Sequence, residues 1–296
     1  MPGIEQGMGF PEFAAIVKES TTDELTERFW EPGYDPNAHL APLAERHFNP
    51  EATQAAWLEE LKANVEEYKW VHDRLEDPLS RDTLMSIMRY RLTWNGEDLA
   101  HVQDGPKYFD WSLLRRPDNA VYVDGGAYDG GSVINFADMY GQDYGAIHGF
   151  EPFPSSYRKL VENCGDMRDT TLVNKGLWDE STELSYAGKG QSVTVATVGS
   201  IANPDGSFET ISLDEHLDED PSIIKMDMEG AELKAIKGAY RAIRSGMPQL
   251  AICAYHLMGD LREIPRAITE ISDDYTLALR NYKTRGSAEI VLYARA

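Results

Sequence analysis

A chain of 296 residues with 42% hydrophobic and 10% aromatic content can bury a substantial core, which excludes a disordered or fibrous protein. Its 50 acidic residues against 28 basic ones leave a formal charge of -22, and with no visible basic patch an approaching phosphate backbone would be repelled, so nucleic acid is excluded as a partner. No apolar run reaches the roughly 18 residues of a membrane span, and the start lacks the basic and apolar regions of a signal peptide, so a cytoplasmic protein is expected.

Residues 1–52 read as irregular structure with short helices. Phe10, Phe13, Ile16 and Val17 share one helical face, and prolines at 32, 36, 42 and 50 break the stretch after it into turns and extended pieces. From Ala52 to Leu75 the apolar residues Leu58, Leu61, Val65, Tyr68, Val71 and Leu75 recur at steps of three and four, which predicts one amphipathic helix. Asp77-Pro78 then offers a cap with proline at the first helical position, and Leu84, Ile87, Met88 and Leu92 predict a second helix ending near Asn95-Gly96. A helical region over 1–107 is expected, followed by an α/β domain over 108–296. At their junction the segment Lys107-Tyr108-Phe109-Asp110-Trp111 is dense in aromatics. Core packing explains such a segment, and its position also makes Tyr108 and Phe109 candidates for a lid over a substrate.

Val121 to Ser132 forms the centre of the pattern: an apolar run, then Asp124, then four glycines and Ser132. That is the signature of a buried strand turning sharply into a helix. Glycines there permit positive φ, and the helix start offers backbone N–H groups to a ligand. The spacing departs from the dinucleotide fingerprint, and Asp124 stands where a diphosphate would lie, so a cationic or zwitterionic ligand is indicated. Glu151, at the end of the next strand, lies near the offset of about 20 residues at which an acid grips ribose hydroxyls. Together these imply an adenosine-containing ligand.

Helix and strand then alternate through Leu177, the mark of a parallel, doubly wound sheet. Thr182 to Ile211 reads as paired strands inserted beside it. The stretch Ile223 to Glu232 carries the most chemistry: Lys225 is discordant in a buried strand, Asp227 sits at its carboxyl end, and Glu229 and Glu232 crowd the next helix start. Gln249 to Ala254 is another apolar strand, ending in Tyr255-His256, and His256 facing the same crevice is a candidate general base. Tyr275 to Tyr282 and Glu289 to Ala294 predict a closing antiparallel pair around the turn-like Thr284-Arg285-Gly286-Ser287. Cys164 and Cys253 lack metal-binding spacing, and no structural disulfide is expected.

Three segments now carry a resemblance: Val123 to Ala127 with Gly130, the phrase Phe150-Glu151-Pro152, and above all Ile224-Lys225-Met226-Asp227-Met228-Glu229-Gly230-Ala231-Glu232. Over about residues 108 to 296 the chain resembles the FkbM family of S-adenosylmethionine-dependent methyltransferases. The resemblance implies a Rossmann-like sheet of seven mostly parallel strands with the last antiparallel. It also implies that Asp124, Gly126, Ala127 and Gly130 line the methionine end of S-adenosylmethionine, with Tyr128 and Ser132 also expected at the cofactor, that Glu151 binds the ribose, and that Leu177 and Trp178 border the adenine. Tyr128 stands where many related methyltransferases have a glycine.

The function expected is methyl transfer to a hydroxyl of a small molecule or glycan, with His256 as base, Asp227 as second catalytic residue, and Glu229 and Tyr255 beside the acceptor. A divalent ion such as magnesium on Asp227, Glu229 and Glu232 is left open and not predicted, because Tyr255-His256 stands where further Asp or Asn ligands would be wanted. Two other readings compete. An NAD-dependent oxidoreductase is disfavoured by Asp124, and a non-catalytic S-adenosylmethionine-binding scaffold would be indifferent to loss of His256. Oligomeric state is left open.

Overall fold

The computed structural model describes residues 7–21, 50–93, 95–102, 105–141, 143–189, 192–198, 200, 204–283 and 289–296. The prolines at 32, 36 and 42 and the turn at 284–287 lie outside the described residues.

Five helices come first: α1 (Phe10–Glu19), α2 (Pro50–Ala63), α3 (Val65–Arg74), α4 (Pro78–Thr93) and the short α5 (Glu97–Ala100). The apolar stripe from Leu58 to Leu75 is buried at every position expected of it. It is carried by two helices rather than one, because at Asn64 the backbone leaves the helical region (φ -123°, ψ 21°) and the Asn64 side chain bonds the Glu60 carbonyl at 3.0 Å. Asp77 does cap α4, accepting the Ser80 N–H at 2.9 Å.

The rest alternates strand and helix: β1 (Val121–Gly125), α6 (Gly131–Tyr140), β2 (Ala146–Phe150), α7 (Pro154–Cys164), β3 (Thr170–Val173), β4 (Gly176–Leu177), β5 (Glu183–Lys189), β6 (Ser192–Thr197), β7 (Gly206–Ile211), α8 (Leu213–His216), β8 (Ile223–Met226), α9 (Glu232–Gly238), α10 (Tyr240–Gly246), β9 (Gln249–Cys253), α11 (Asp260–Ile271), β10 (Thr276–Asn281) and β11 (Ile290–Arg295). Seven strands form one sheet in the order β10-β11-β9-β8-β1-β2-β3. The last strand, β11, runs antiparallel to both neighbours, and the other pairings are parallel, as expected. Strands β5 to β7 are the paired strands foreseen between Thr182 and Ile211, and β4, read from the sequence as the end of a main-sheet strand from Thr171 to Leu177, joins them in a separate small sheet.

The strand order reverses direction at β1, whose neighbours are β2 on one side and β8 on the other. Gly125 is level with Phe150 and with Met226, so the next residues along each strand, Gly126, Glu151 and Asp227, leave the sheet side by side at its carboxyl edge. Open α/β sheets bind ligands at such a switch point.

The N-terminal helices complete this sheet. Helix α4 is buried on nearly all sides, and its start seals β10: the Leu279 N–H donates to Ser80 Oγ at 2.9 Å, and Glu76 N–H to the Leu277 carbonyl at 2.9 Å. An open strand edge is thereby paired. One apolar cluster joins Phe13, Leu58 and Leu84 to Ile224, Ile252 and Leu292, so helices and sheet share a core.

Leu84 is fully buried in that shared core. Leu84→Ala should lower unfolding free energy by about 2–5 kcal/mol, read as an earlier urea midpoint at unchanged slope. A loss under about 1 kcal/mol would mean that α4 does not pack as described.

Candidate active site at the carboxyl edge of the sheet

The glycine turn is built on an ion pair inside the sheet. Asp124 and Lys225 face each other across β1 and β8, at 0% and 2% side-chain exposure, with Nζ 2.8 Å from Oδ1. Lys225 also donates to the carbonyls of Gly125 at 3.2 Å and Gly126 at 2.8 Å. The other carboxylate oxygen of Asp124 accepts from Tyr122 Oη at 3.0 Å and Ser132 Oγ at 2.5 Å. Burial works against the Lys225 charge, yet Asp124 beside it holds the ammonium above its ordinary pKa.

This arrangement shows how several residues expected at the cofactor are held. Asp124 and Ser132 spend their polar atoms on each other and on Lys225, and Ala127 is buried in the core with Tyr122 and Phe136. They shape the turn from beneath. Gly126 (φ +75°) and Gly130 (φ +93°) take left-handed conformations, and a Cβ at either would overlap the Asp227 carbonyl or Cys164 Sγ respectively. On this turn Tyr128 and Gly131 are exposed and Gly126, Asp129 and Ser132 half-buried, and these leave surface for a ligand.

Glu151 continues from β2 at 4% exposure. Its carboxylate is anchored by backbone donors, Tyr128 N–H to Oε2 at 3.0 Å and Phe153 N–H to Oε1 at 2.9 Å. Burial pushes its pKa up to about 7, against the pull of the Phe153 and Tyr128 N–H groups. Leu177 is buried against the far side of the turn at Gly125, and half-buried Trp178 carries the Lys234 ammonium 5.4 Å from its ring centre.

Asp227 comes directly after β8 and gathers donors from three directions. Its Oδ2 accepts from Lys107 Nζ at 3.2 Å and from the Tyr108 hydroxyl, and its Oδ1 from Tyr255 Oη at 3.3 Å. Burial disfavours its charge, but His256, Lys225, Lys107 and Tyr108 hold its pKa well below the carboxylate range. Lys107 also pairs with Glu289. Tyr108 reaches Asp227 because its backbone is left-handed (φ +71°), with its N–H held by Tyr293 Oη at 3.0 Å. The turn of the chain there sends Phe109 the other way, into the core against Tyr122, Phe136 and Trp111. The 108–109 pair thus divides: Tyr108 belongs to the site, and Phe109, expected as a substrate contact, is core.

His256 lies deeper, its side chain 6% exposed, with Nε2 3.3 Å from Asp227 Oδ1 and 4.0 Å from Glu229 Oε2, and Nδ1 2.9 Å from Glu232 Oε1. Neither ring nitrogen completes a hydrogen bond, because the carboxylate oxygens stand off the N–H directions. Although burial opposes the charged ring, Asp227 and Glu232 raise its pKa to about 10. Flanked in this way, the ring favours its protonated form. Glu232 also accepts the Met228 N–H at 2.7 Å, and Glu229 is held left-handed (φ +53°) ahead of Gly230.

Sequence reasoning missed Lys107, whose approach to Asp227 depends on the fold bringing together segments 120 residues apart. It marked Lys225 as out of place in a strand without giving it a partner, and that discordance was the available signal for the Asp124 pair.

Among known proteins, the Methyltransferase FkbM domain model matches residues 124–280, more than half of the chain. A hexuronic acid methyltransferase, AglP of Haloferax volcanii, is 28% identical over 134 residues, 42% of this chain; the chain spans about half, 53%, of the length of that relative. The crystal structure of a methyltransferase FkbM from Methylobacillus flagellatus superposes with a TM-score of 0.71 at 24% identity over 92% of this chain and 76% of the other, a likeness of fold. The span matched by the family model runs from Asp124 through Glu151, Asp227 and His256 to β10, and the chain belongs to the FkbM methyltransferase family.

Proposed function

We propose that the chain is an S-adenosylmethionine-dependent O-methyltransferase acting on a hydroxyl of a small molecule or glycan. The observation that carries this reading is the alignment of the glycine turn, Glu151 and Asp227 at one switch point of the sheet, level in register. The donor set fits the cofactor. Each Glu151 oxygen accepts a single backbone N–H and keeps lone pairs for a ribose diol, and the Lys225 ammonium beneath the turn is already spent on Asp124 and the turn carbonyls, so it is not free to attract a diphosphate. Tyr128 would flank the cofactor from the exposed side of the turn, Gly130 would fix the turn's exit, and Leu177 with Trp178 would border the base.

When bound, S-adenosylmethionine supplies a methyl group on a positively charged sulfur. The acceptor oxygen forms the new C–O bond as the C–S bond breaks, and its proton must leave. That proton becomes strongly acidic as the C–O bond forms, so a carboxylate of low basicity suffices to take it. Asp227 is assigned that role in place of His256, with Tyr108, Lys107 and Tyr255 fixing its orientation and Tyr255 and Glu229 bordering the acceptor. Alignment of the two reactants in a closed crevice supplies much of the acceleration. The hexuronic acid methyltransferase among the relatives supports a sugar acceptor.

Two outcomes test this reading. Calorimetric titration should show S-adenosylmethionine and S-adenosylhomocysteine binding, with NAD silent, and Glu151→Gln should weaken both by about tenfold, the loss of one charge-assisted bond of roughly 1.5 kcal/mol. Because a ribose hydroxyl donates to the ionised carboxylate, affinity should hold above pH 7 and fall as pH drops through about 7, where Glu151 takes up its proton. Binding of NAD alone, or affinity flat across that range, would overturn the ribose assignment.

The second test addresses the platform beneath the turn. Lys225→Met strands Asp124 in the core and should cost about 3–5 kcal/mol of stability together with cofactor binding, whereas adding Asp124→Asn should recover most of the stability. Equal losses in the single and double variants would show that the pair does not hold the turn.

A further inference from the structure

Among the described residues, the carboxylates around His256 outnumber the cations that face them. Asp227, Glu232 and Glu289 pair with Lys107 and the imidazole ring, and Glu229 stands beside that ring, while Lys225 is committed to Asp124. Asp227, Glu232 and His256 offer ligand atoms that all lie within 4.8 Å of one another. A group of acids alone would be ordinary on so acidic a chain. What sets this one apart is the ring: its side chain is only 6% exposed, a carboxylate oxygen stands close to each nitrogen but off its N–H direction, and neither nitrogen completes a hydrogen bond. One oxygen of the Glu232 carboxylate, at 1% exposure, is likewise without a hydrogen-bond partner. Buried polar atoms in native proteins are rarely left in that condition, and a ligand that satisfies them is the usual reason.

We propose that His256 Nε2, Asp227 Oδ1 and Glu229 Oε2 form a site for a divalent first-row transition ion of the manganese or iron kind, which takes the place of the proton on Nε2 and releases it to solvent, with Glu232 beside Nδ1. The separation of Nε2 from Oδ1, 3.3 Å, is what two ligands subtend when each lies about 2.1 Å from one metal. Glu229 Oε2, 4.0 Å from Nε2, stands on a one-third exposed side chain at the open side of the group. Glu232 Oε1, 2.9 Å from Nδ1, stands where a small turn of the ring onto the ion would complete the Nδ1–H bond that fixes tautomer and orientation in histidine-ligated metal centres. One imidazole among carboxylates selects borderline ions over magnesium, which prefers an all-oxygen shell. Asp227 and Glu229 carry the solvent-facing side of the group at 20% and 33% exposure, so the remaining coordination positions open to the crevice where an acceptor would lie.

The test reads the metal directly and does not depend on methyl transfer. The full-length protein, freed of metal by chelator, is titrated with Mn2+ and followed by electron paramagnetic resonance, with pulsed spectra examined for nitrogen coupling. The expected result is one tight site per chain showing nitrogen coupling. Glu229→Gln, on an accessible loop, should weaken that site at least tenfold, and Glu232→Gln by about 10- to 100-fold. His256→Gln should abolish the nitrogen coupling while far-ultraviolet circular dichroism stays unchanged. Binding that is multiple and weak, lacks nitrogen coupling, or is the same in Glu229→Gln would overturn the proposal and leave the group a charge clasp between α9 and the end of β9. If His256→Gln fails to fold, the Glu229→Gln and Glu232→Gln titrations decide the matter alone.

Discussion

The Asp124–Lys225 pair is the constraint on which the carboxyl edge of the sheet depends. Two charges at 0% and 2% exposure would each be costly alone, and their stability comes from meeting at 2.8 Å with further bonds to Tyr122, Ser132 and two turn carbonyls. Because Lys225 belongs to β8 and holds carbonyls at and just past the end of β1, it ties the exits of the two strands between which a ligand is expected. The Gly126 backbone then packs so tightly against Asp227 that no side chain fits between them. The position of Asp227 is thus a consequence of the pair beneath it. A replacement by two apolar residues would leave the sheet packed but would release those carbonyls, so the pair specifies the shape of the turn as well as its place.

The N-terminal helices bear on the site through the opposite end of the sheet. Helix α4 closes β10, which pairs with β11, and β11 lies against β9, whose exit carries Tyr255 and His256. From the other direction α2 and α3 are joined to α11 by the part-buried pair Arg262–Glu60 at 2.7 Å and the more exposed pair Arg266–Glu67 at 2.5 Å, over shared apolar contact. Helix α11 in turn begins at Asp260, whose Oδ2 accepts the Leu257 N–H at 2.6 Å just after His256. Burial raises the Asp260 pKa to about 7, opposed by that N–H and assisted by Glu232. The helical layer therefore supports the His256 loop from two sides without supplying a side chain to it.

What could be read from the sequence depends on what each signal encodes. The stripe from Leu58 to Leu75 was legible because helical period and burial are the same information, and the closing pair β10–β11 because both strands are apolar runs flanked by polar turns. The seven-stranded order rested on the resemblance, carried by the glycine turn and the Lys225 to Glu232 phrase. Side-chain direction at the site was not legible. An acid before a glycine turn looks the same whether it faces a ligand or, like Asp124, a lysine 101 residues away. Tyr108 and Phe109 are neighbours of similar chemistry, and only the positive φ of Tyr108 separates a site residue from a core residue. The state of His256 was invisible for the same reason, since its basicity is set by Glu232 and Asp227, neither of them close to it in sequence.

The two oxygens of Asp227 are unequal, and the inequality says which one works. Oδ2 is held by an ammonium and a phenol that come from a single segment, Lys107-Tyr108, and that segment is itself tied down by Glu289 and Tyr293. Oδ1 has only the 3.3 Å contacts of Tyr255 and His256, one long and the other misdirected. An incoming hydroxyl displaces the weaker donor first, because a hydrogen bond stretched to 3.3 Å has less to lose than an ammonium contact at 3.2 Å with charge behind it. In the proposed reaction Oδ1 would be the oxygen that meets the acceptor, and it is also the one that faces His256, itself beside Glu229. An ion seated among those three groups would coordinate Asp227 through its working oxygen and leave the anchored one undisturbed. The acceptor's hydroxyl would then come under the influence of the carboxylate and the metal on the same side of the crevice.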